Sequence, residues 1–88
     1  MAEECKDSIE IAYAENNIGG NYRLKSYQTL ALEHVLRGLR IFERRDYKIG
    51  EAFCTLNIGF IYWRQNNFSK AVEYFNRGLE SFFNVDGK

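Results

Sequence analysis

Apolar and small residues recur every three or four positions along nearly the whole chain. Ile9, Ala12, Tyr13, Asn16 and Gly19 follow this step, and Ile49, Ala52, Phe53, Leu56 and Gly59 repeat it. Leu32, Val35, Leu36, Leu39 and Phe42 form another stripe, echoed by Val72, Phe75, Leu79 and Phe82. A step near 3.6 lines such residues along one face of a helix. The pattern predicts four helices over about 8–24, 27–44, 47–65 and 68–83. Polar punctuation falls between them. Asp7-x-x-Glu10 reads as a capping box opening the first helix, and Asp46 stands at the equivalent place before the third. Ser26 and Asn66-Asn67 fall between the paired helices, where their oxygens can accept N-terminal N–H bonds. No proline interrupts the chain, so the strongest helix breaker is absent. Joints this short make consecutive helices antiparallel neighbours.

The stripes belong to a longer echo. Residues 9–42 align without a gap on residues 49–82, with 12 identities in 34 positions. The identities cluster as Asn17-Ile18-Gly19-x-x-Tyr22 on Asn57-Ile58-Gly59-x-x-Tyr62, Ala31-x-Glu33 on Ala71-x-Glu73, and Arg37-Gly38-Leu39 on Arg77-Gly78-Leu79. A fixed internal period marks a repeat protein. The expected architecture is all-α: one domain, 1–88, of two 40-residue repeats at about 8–47 and 48–88, each a helical hairpin, the two stacked. Glycine in a helix costs about 1 kcal/mol relative to alanine. Gly19 and Gly59 therefore point to close backbone approach, with Ala31, Ala71, Gly38 and Gly78 kept small on the facing helix. Tyr22 and Tyr62, one turn on, are placed to close the end of each hairpin.

These residues resemble the tetratricopeptide repeat, whose pattern runs L/I-G-x-x-Y, then Ala, then an aromatic four residues later. Ile58, Gly59, Tyr62, Ala71 and Phe75 fill it in the second unit. Ile18, Gly19, Tyr22 and Ala31 fill it in the first, with Val35 in place of the aromatic. The alanine usual three positions further is Gly38 or Gly78, and the usual closing proline is missing. The period of 40 instead of 34 is similar to the longer-helix subgroup of bacterial quorum-sensing peptide receptors, kinesin light chains and spindle-orientation adaptors.

The resemblance implies a protein or peptide partner, held in a concave groove lined by one side of each first helix. On that side it places Tyr13, Asn16, Asn17, Gly20 and Leu24 in the first unit, and Phe53, Leu56, Asn57, Phe60 and Arg64 in the second. In the 40-residue subgroup, Asn at the position of Asn17 and Asn57 typically pairs with the backbone of an extended peptide. The residues themselves leave two roles open. An amide carries both donor and acceptor and suits either a peptide backbone or a bond between repeats. The expected peptide-binding set is Asn17, Asn57, Tyr13, Asn16, Phe53, Leu56, Phe60 and Arg64, with the phenylalanines and Leu56 as apolar anchors. Packing against the preceding repeat is the competing role for Phe53. Family members that clamp a C-terminal carboxylate use Lys where Asn16 and Leu56 stand, so that mode is not expected. Arg23 and Arg64 can meet an acidic partner or stay solvated.

Charge and chemistry narrow the reading further. Lys plus Arg and Asp plus Glu number 12 each, without the basic surplus of a nucleic-acid binder or of a membrane-surface helix. No apolar run is long enough to span a bilayer, and the first residues lack a hydrophobic signal core; a cytoplasmic location is expected. Cys5 and Cys54 lack metal-site spacing and read as ordinary thiols. His34 is the single histidine, with no nucleophile placed beside it by spacing. No phosphate loop, metal set or nucleophile–base pair is present, so neither enzymatic activity nor a cofactor is expected.

The echo breaks off at Asp86-Gly87-Lys88, which aligns with Asp46-Tyr47-Lys48. A terminal repeat usually carries a polar outer face. Instead Val72, Phe75, Leu79, Phe82 and Phe83 make an apolar stripe. Either the array continues, or another chain covers the stripe. The expectation for the isolated chain is a homodimer through these residues.

Overall fold

The computed structural model describes the backbone of residues 2–83 and the side chains of residues 8–83. Four helices, α1 (Ala2–Leu24), α2 (Gln28–Arg44), α3 (Lys48–Arg64) and α4 (Phe68–Phe83), make two antiparallel hairpins. Helix α2 packs on both α1 and α3, and α1 touches α3. Among the described helices, α4 packs on α3 alone. The all-α double hairpin is therefore the architecture expected from the apolar step. Cys5 and the Asp86-Gly87-Lys88 echo lie outside the described side chains.

The first helix is longer than its stripe predicts. It runs from Ala2, so Asp7 lies inside it and Asp7-x-x-Glu10 does not open it. Nothing in the sequence between Ala2 and Lys6 breaks a helix.

The joints also differ from the expectation of side-chain caps. Ser26, Asp46 and Asn66 adopt left-handed backbone, with φ of 69°, 53° and 63°. Each closes the helix before it. The Tyr27 N–H donates to Tyr22 O at 2.9 Å and the Ser26 N–H to Arg23 O at 3.0 Å. The same pair of bonds recurs as Tyr47 to Phe42 and Asp46 to Glu43, and again as Asn67 to Tyr62 and Asn66 to Trp63. This is the Schellman arrangement, which satisfies the last carbonyls of a helix. Helices α2 and α3 then begin after Tyr27 and Tyr47 with no side-chain cap. Among the described joints, only Asn67 behaves as a cap, its Oδ1 accepting from the Lys70 N–H at 3.4 Å. The apolar contact that accompanies a Schellman turn is aromatic here: Tyr22 lies against Tyr27, and Phe42 stacks on Tyr47.

The core gathers between the first three helices. Ala12, Val35, Leu39, Phe42, Cys54 and Ile58 form one buried cluster. The small positions do what their repetition suggests. A Cβ on Gly19 would lie 2.9 Å from Ala31 O, and one on Gly38 would lie 2.8 Å from Ala12 O. In the second hairpin Gly59 meets the Phe75 ring, and Gly78 meets Leu56. Tyr22 stacks on His34, and Tyr62 on Tyr74, closing one end of each hairpin.

Cys54 sits in this core with its thiol fully buried. Burial first, then the negative charges of Glu43 and Glu51, push it up to about 12. A pKa raised on folding favours the native state below the unfolded value, and that contribution fades as pH climbs from about 9 toward 12. In a Cys5→Ser chain at pH 8, Cys54 should therefore react with a disulfide reagent only as fast as the fold opens. Labelling as fast as in urea would show the core to be accessible.

Candidate partner-binding groove

Helices α1 and α3 meet along a polar seam. From α1 the stripe Asn16, Gly20 and Arg23 faces α3. From α3, Asn57, Phe60 and Arg64 lie along the facing side. Asn16 is buried, and its Oδ1 accepts from Asn57 Nδ2 at 2.9 Å. Asn57 Oδ1 in turn accepts from Arg23 Nε at 3.1 Å. Gly20 borders this bridge, and a Cβ there would make only an ordinary contact, 3.7 Å from the Asn57 amide nitrogen. Buried polar groups need such partners, and among the described residues no buried side-chain nitrogen or oxygen is left without one.

Arg23 is half-buried and held on two sides. Besides its bond to Asn57, its guanidinium carbon sits 4.9 Å over the Phe60 ring, a cation–π contact. Arg64 follows on the same seam, its Nη2 donating to Ser26 Oγ at 2.8 Å. Burial first, and the neighbouring Arg64 charge second, lower the Arg23 pKa from its usual value. An arginine still keeps its charge in such a setting.

The expected groove residues divide into two sets. Asn17, Phe53, Phe60 and Arg64 are exposed, and Asn57 is half-buried. Phe53 and Phe60 keep 42% and 45% of their surface, each resting edge-on against an α4 ring, Phe82 and Phe75 respectively. The other three are engaged inside the fold. Tyr13 packs edge-on to Phe42 at 5.0 Å. Its O–H donates to Tyr47 at 3.4 Å, and burial followed by that bond raises its pKa to about 12. Leu56 lies over Gly78, and Asn16 is consumed by Asn57. The two equivalent asparagines thus differ: Asn57 has α1 to bond to, whereas Asn17 is exposed.

Sequence reasoning did not foresee how firmly Arg23 is built into the seam. The available signal was its spacing of seven from Asn16 and three from Gly20. It also left His34 without a partner. In the fold His34 Nδ1 lies 2.6 Å from Glu15 Oε1 while the ring stacks on Tyr22. Nothing in the spacing of nineteen residues announces that pair.

Two other surfaces lie outside the seam. A polar cleft of about 140 Å³ between α2, α3 and α4 holds Glu43, Glu51 and Glu80 beside Lys48 and Arg77, so its charges are mixed. Along α4, Val72, Leu79 and Phe83 are exposed, while Phe75 and Phe82 are half-buried against α3. Among the described residues, no three His, Cys, Asp or Glu side chains come together as a metal-binding group, and no helix is long and apolar enough to cross a membrane.

Comparison with known proteins agrees with the fold. The family model described as "Tetratricopeptide repeat" matches residues 6–82. No curated protein and no solved structure matches the chain.

Proposed function

Because the chain belongs to the tetratricopeptide repeat family, whose members generally mediate protein–protein interactions, we propose that it is a non-catalytic module binding an extended peptide or partner helix in the α1–α3 groove. The observation that carries this reading is the exposure of Phe53 and Phe60 beside a polar seam. Large apolar side chains left open on a grooved surface suit the anchors of a partner. Asn17 offers both amide atoms to a peptide backbone. Asn57 already gives one N–H to Asn16 and accepts from Arg23, so its remaining N–H and lone pair are what a partner can use.

The test starts from a partner obtained by affinity capture and measures its affinity for variants. Asn17→Ala and Phe53→Ser are suitable because both residues are exposed. Asn57→Ala is less clean, since it also strips Asn16 and Arg23 of their bonds. Loss of the Phe53 anchor should weaken binding about tenfold or more; it also removes the ring that Phe82 rests on and should lower the melting temperature, whereas Asn17→Ala should leave it nearly unchanged. Wild-type affinity in both variants would remove the groove from the interface.

A second reading, self-association through α4, rests on a comparison internal to the chain. Leu39 on α2, covered by α3, is 7% exposed, whereas its repeat equivalent Leu79 is 48% exposed. Phe83 is 77% exposed on the same helix. On this reading a second copy covers Val72, Leu79 and Phe83, with Phe75 and Phe82 beneath them. Phe83→Glu should then halve the solution mass measured by light scattering and leave groove binding intact. A monomeric wild-type chain at tens of micromolar would exclude it.

A further inference from the structure

We infer that Arg23 and Arg64 form a receptor for a side-chain carboxylate, and that the groove therefore selects peptides carrying Asp or Glu opposite the α1–α3 seam. The inference rests on the groove reading above and adds the chemistry of the occupant. Four observations support it. Arg23 is fixed, not merely exposed: Asn57 holds its Nε and Phe60 lies under its plane. A guanidinium carries five N–H donors, and the Asn57 bond uses one, so the Nη fork remains. Arg64 is placed beside it by Ser26 and retains donors of its own. Finally, neither arginine has a carboxylate partner among the described residues.

That last point matters because carboxylates are not scarce. Acidic and basic residues are equal in number, and acids elsewhere do find partners: Glu15 meets His34, while Asp46 and Glu51 meet Lys48. The seam instead brings two cations together on a half-desolvated surface. Burial and like charge both disfavour this arrangement, and a carboxylate placed between the two guanidinium groups relieves both. Fork-like N–H···O bonds to a carboxylate are short, charge-assisted and directional. Phe60, already under Arg23, provides an apolar wall for the carbon stem of the same side chain. Arg37 and Arg40 project from exposed positions on α2, whereas Arg77, although its guanidinium lies over the Tyr74 ring, shares its cleft with Glu43, Glu51 and Glu80.

The probe is a random nonapeptide library with amidated C-termini, so that any carboxylate selected belongs to a side chain. Wild-type protein should enrich Asp or Glu at one position. In the best peptide, changing that residue to Gln should weaken binding about tenfold, and raising NaCl from about 50 to 500 mM should weaken it further. Against Arg64→Gln, and against Arg23→Lys, which keeps the charge but loses the fork, the acidic peptide and its Gln version should bind within about twofold of each other. Arg64→Gln removes only an exposed bond to Ser26 and should leave the melting temperature within about 2 °C, so the test survives even if Arg23 variants fold poorly. Peptides enriched without an acidic position would overturn the carboxylate assignment and leave the groove reading standing. A library that yields no binders would overturn both.

Discussion

Phe42→Ala is expected to cost about 3–5 kcal/mol, a large share of the stability of a domain held by about 5–10 kcal/mol. Phe42 is fully buried where α1, α2 and α3 meet. Tyr13 meets it edge-on from α1, Tyr47 stacks on it from the joint, and Gly50 of α3 stays without a Cβ because the ring occupies that space. Alanine would leave a void that three helices cannot all close. The chain contains its own control. Phe82 occupies the same repeat position in α4 but is only half-buried, against Phe53. Phe82→Ala should cost half as much or less. Urea titrations followed by far-ultraviolet circular dichroism measure both. Equal losses would mean that α4 is as tightly enclosed as α2, contrary to the fold described.

Adjacent glycines should give opposite results. Gly19→Ala gains up to about 1 kcal/mol of helix propensity but drives a Cβ against Ala31 O at 2.9 Å and against the fully buried Val35 side chain. A backbone oxygen and a sealed valine have nowhere to move, and overpacking of this kind costs typically about 1–3 kcal/mol. Gly20→Ala meets only the Asn57 amide nitrogen at 3.7 Å, an ordinary contact, so the propensity gain survives. The first variant should melt lower than wild type and the second higher, separated by about 5–15 °C. Two shifts of the same sign would contradict the helix spacing.

The difference between these neighbours shows where the sequence is informative. Gly19 has a repeat partner in Gly59, and that recurrence alone points to the close approach. The four helices were legible for the same reason: each apolar stripe occurs twice. The joints were misread because Ser, Asp and Asn suit two jobs. They cap N-termini, and their short polar side chains also tolerate left-handed backbone. At Ser26 and Asp46 the need to finish one helix prevailed over starting the next. The groove was legible only in part. That Asn17 and Asn57 share a repeat position is plain in the sequence. That Asn57 is bound to Asn16, forty-one residues away, depends on how closely α1 stacks on α3, and the apolar pattern does not encode that distance. Arg23 lay hidden for the same reason, as its partners Asn57 and Phe60 both come from the other hairpin.

The dependence of α4 on α3 alone has a kinetic meaning. In a chain whose elements touch mainly their neighbours, cooperativity is passed along like links in a line. Helix α3 is gripped by three others and α4 by one. Opening therefore has a direction: α4 can peel away with the α1–α2–α3 cluster intact, whereas loosening α3 frees α4 and uncovers the α1–α2 hairpin. Amide exchange would then run in two tiers, with α4 protected only by its local opening and the buried positions of α2 and α3 by the global one. A partner that packs on Phe53 and Phe60 together with their α4 neighbours Phe82 and Phe75 would merge the tiers, so its arrival could be read from slower exchange along α4.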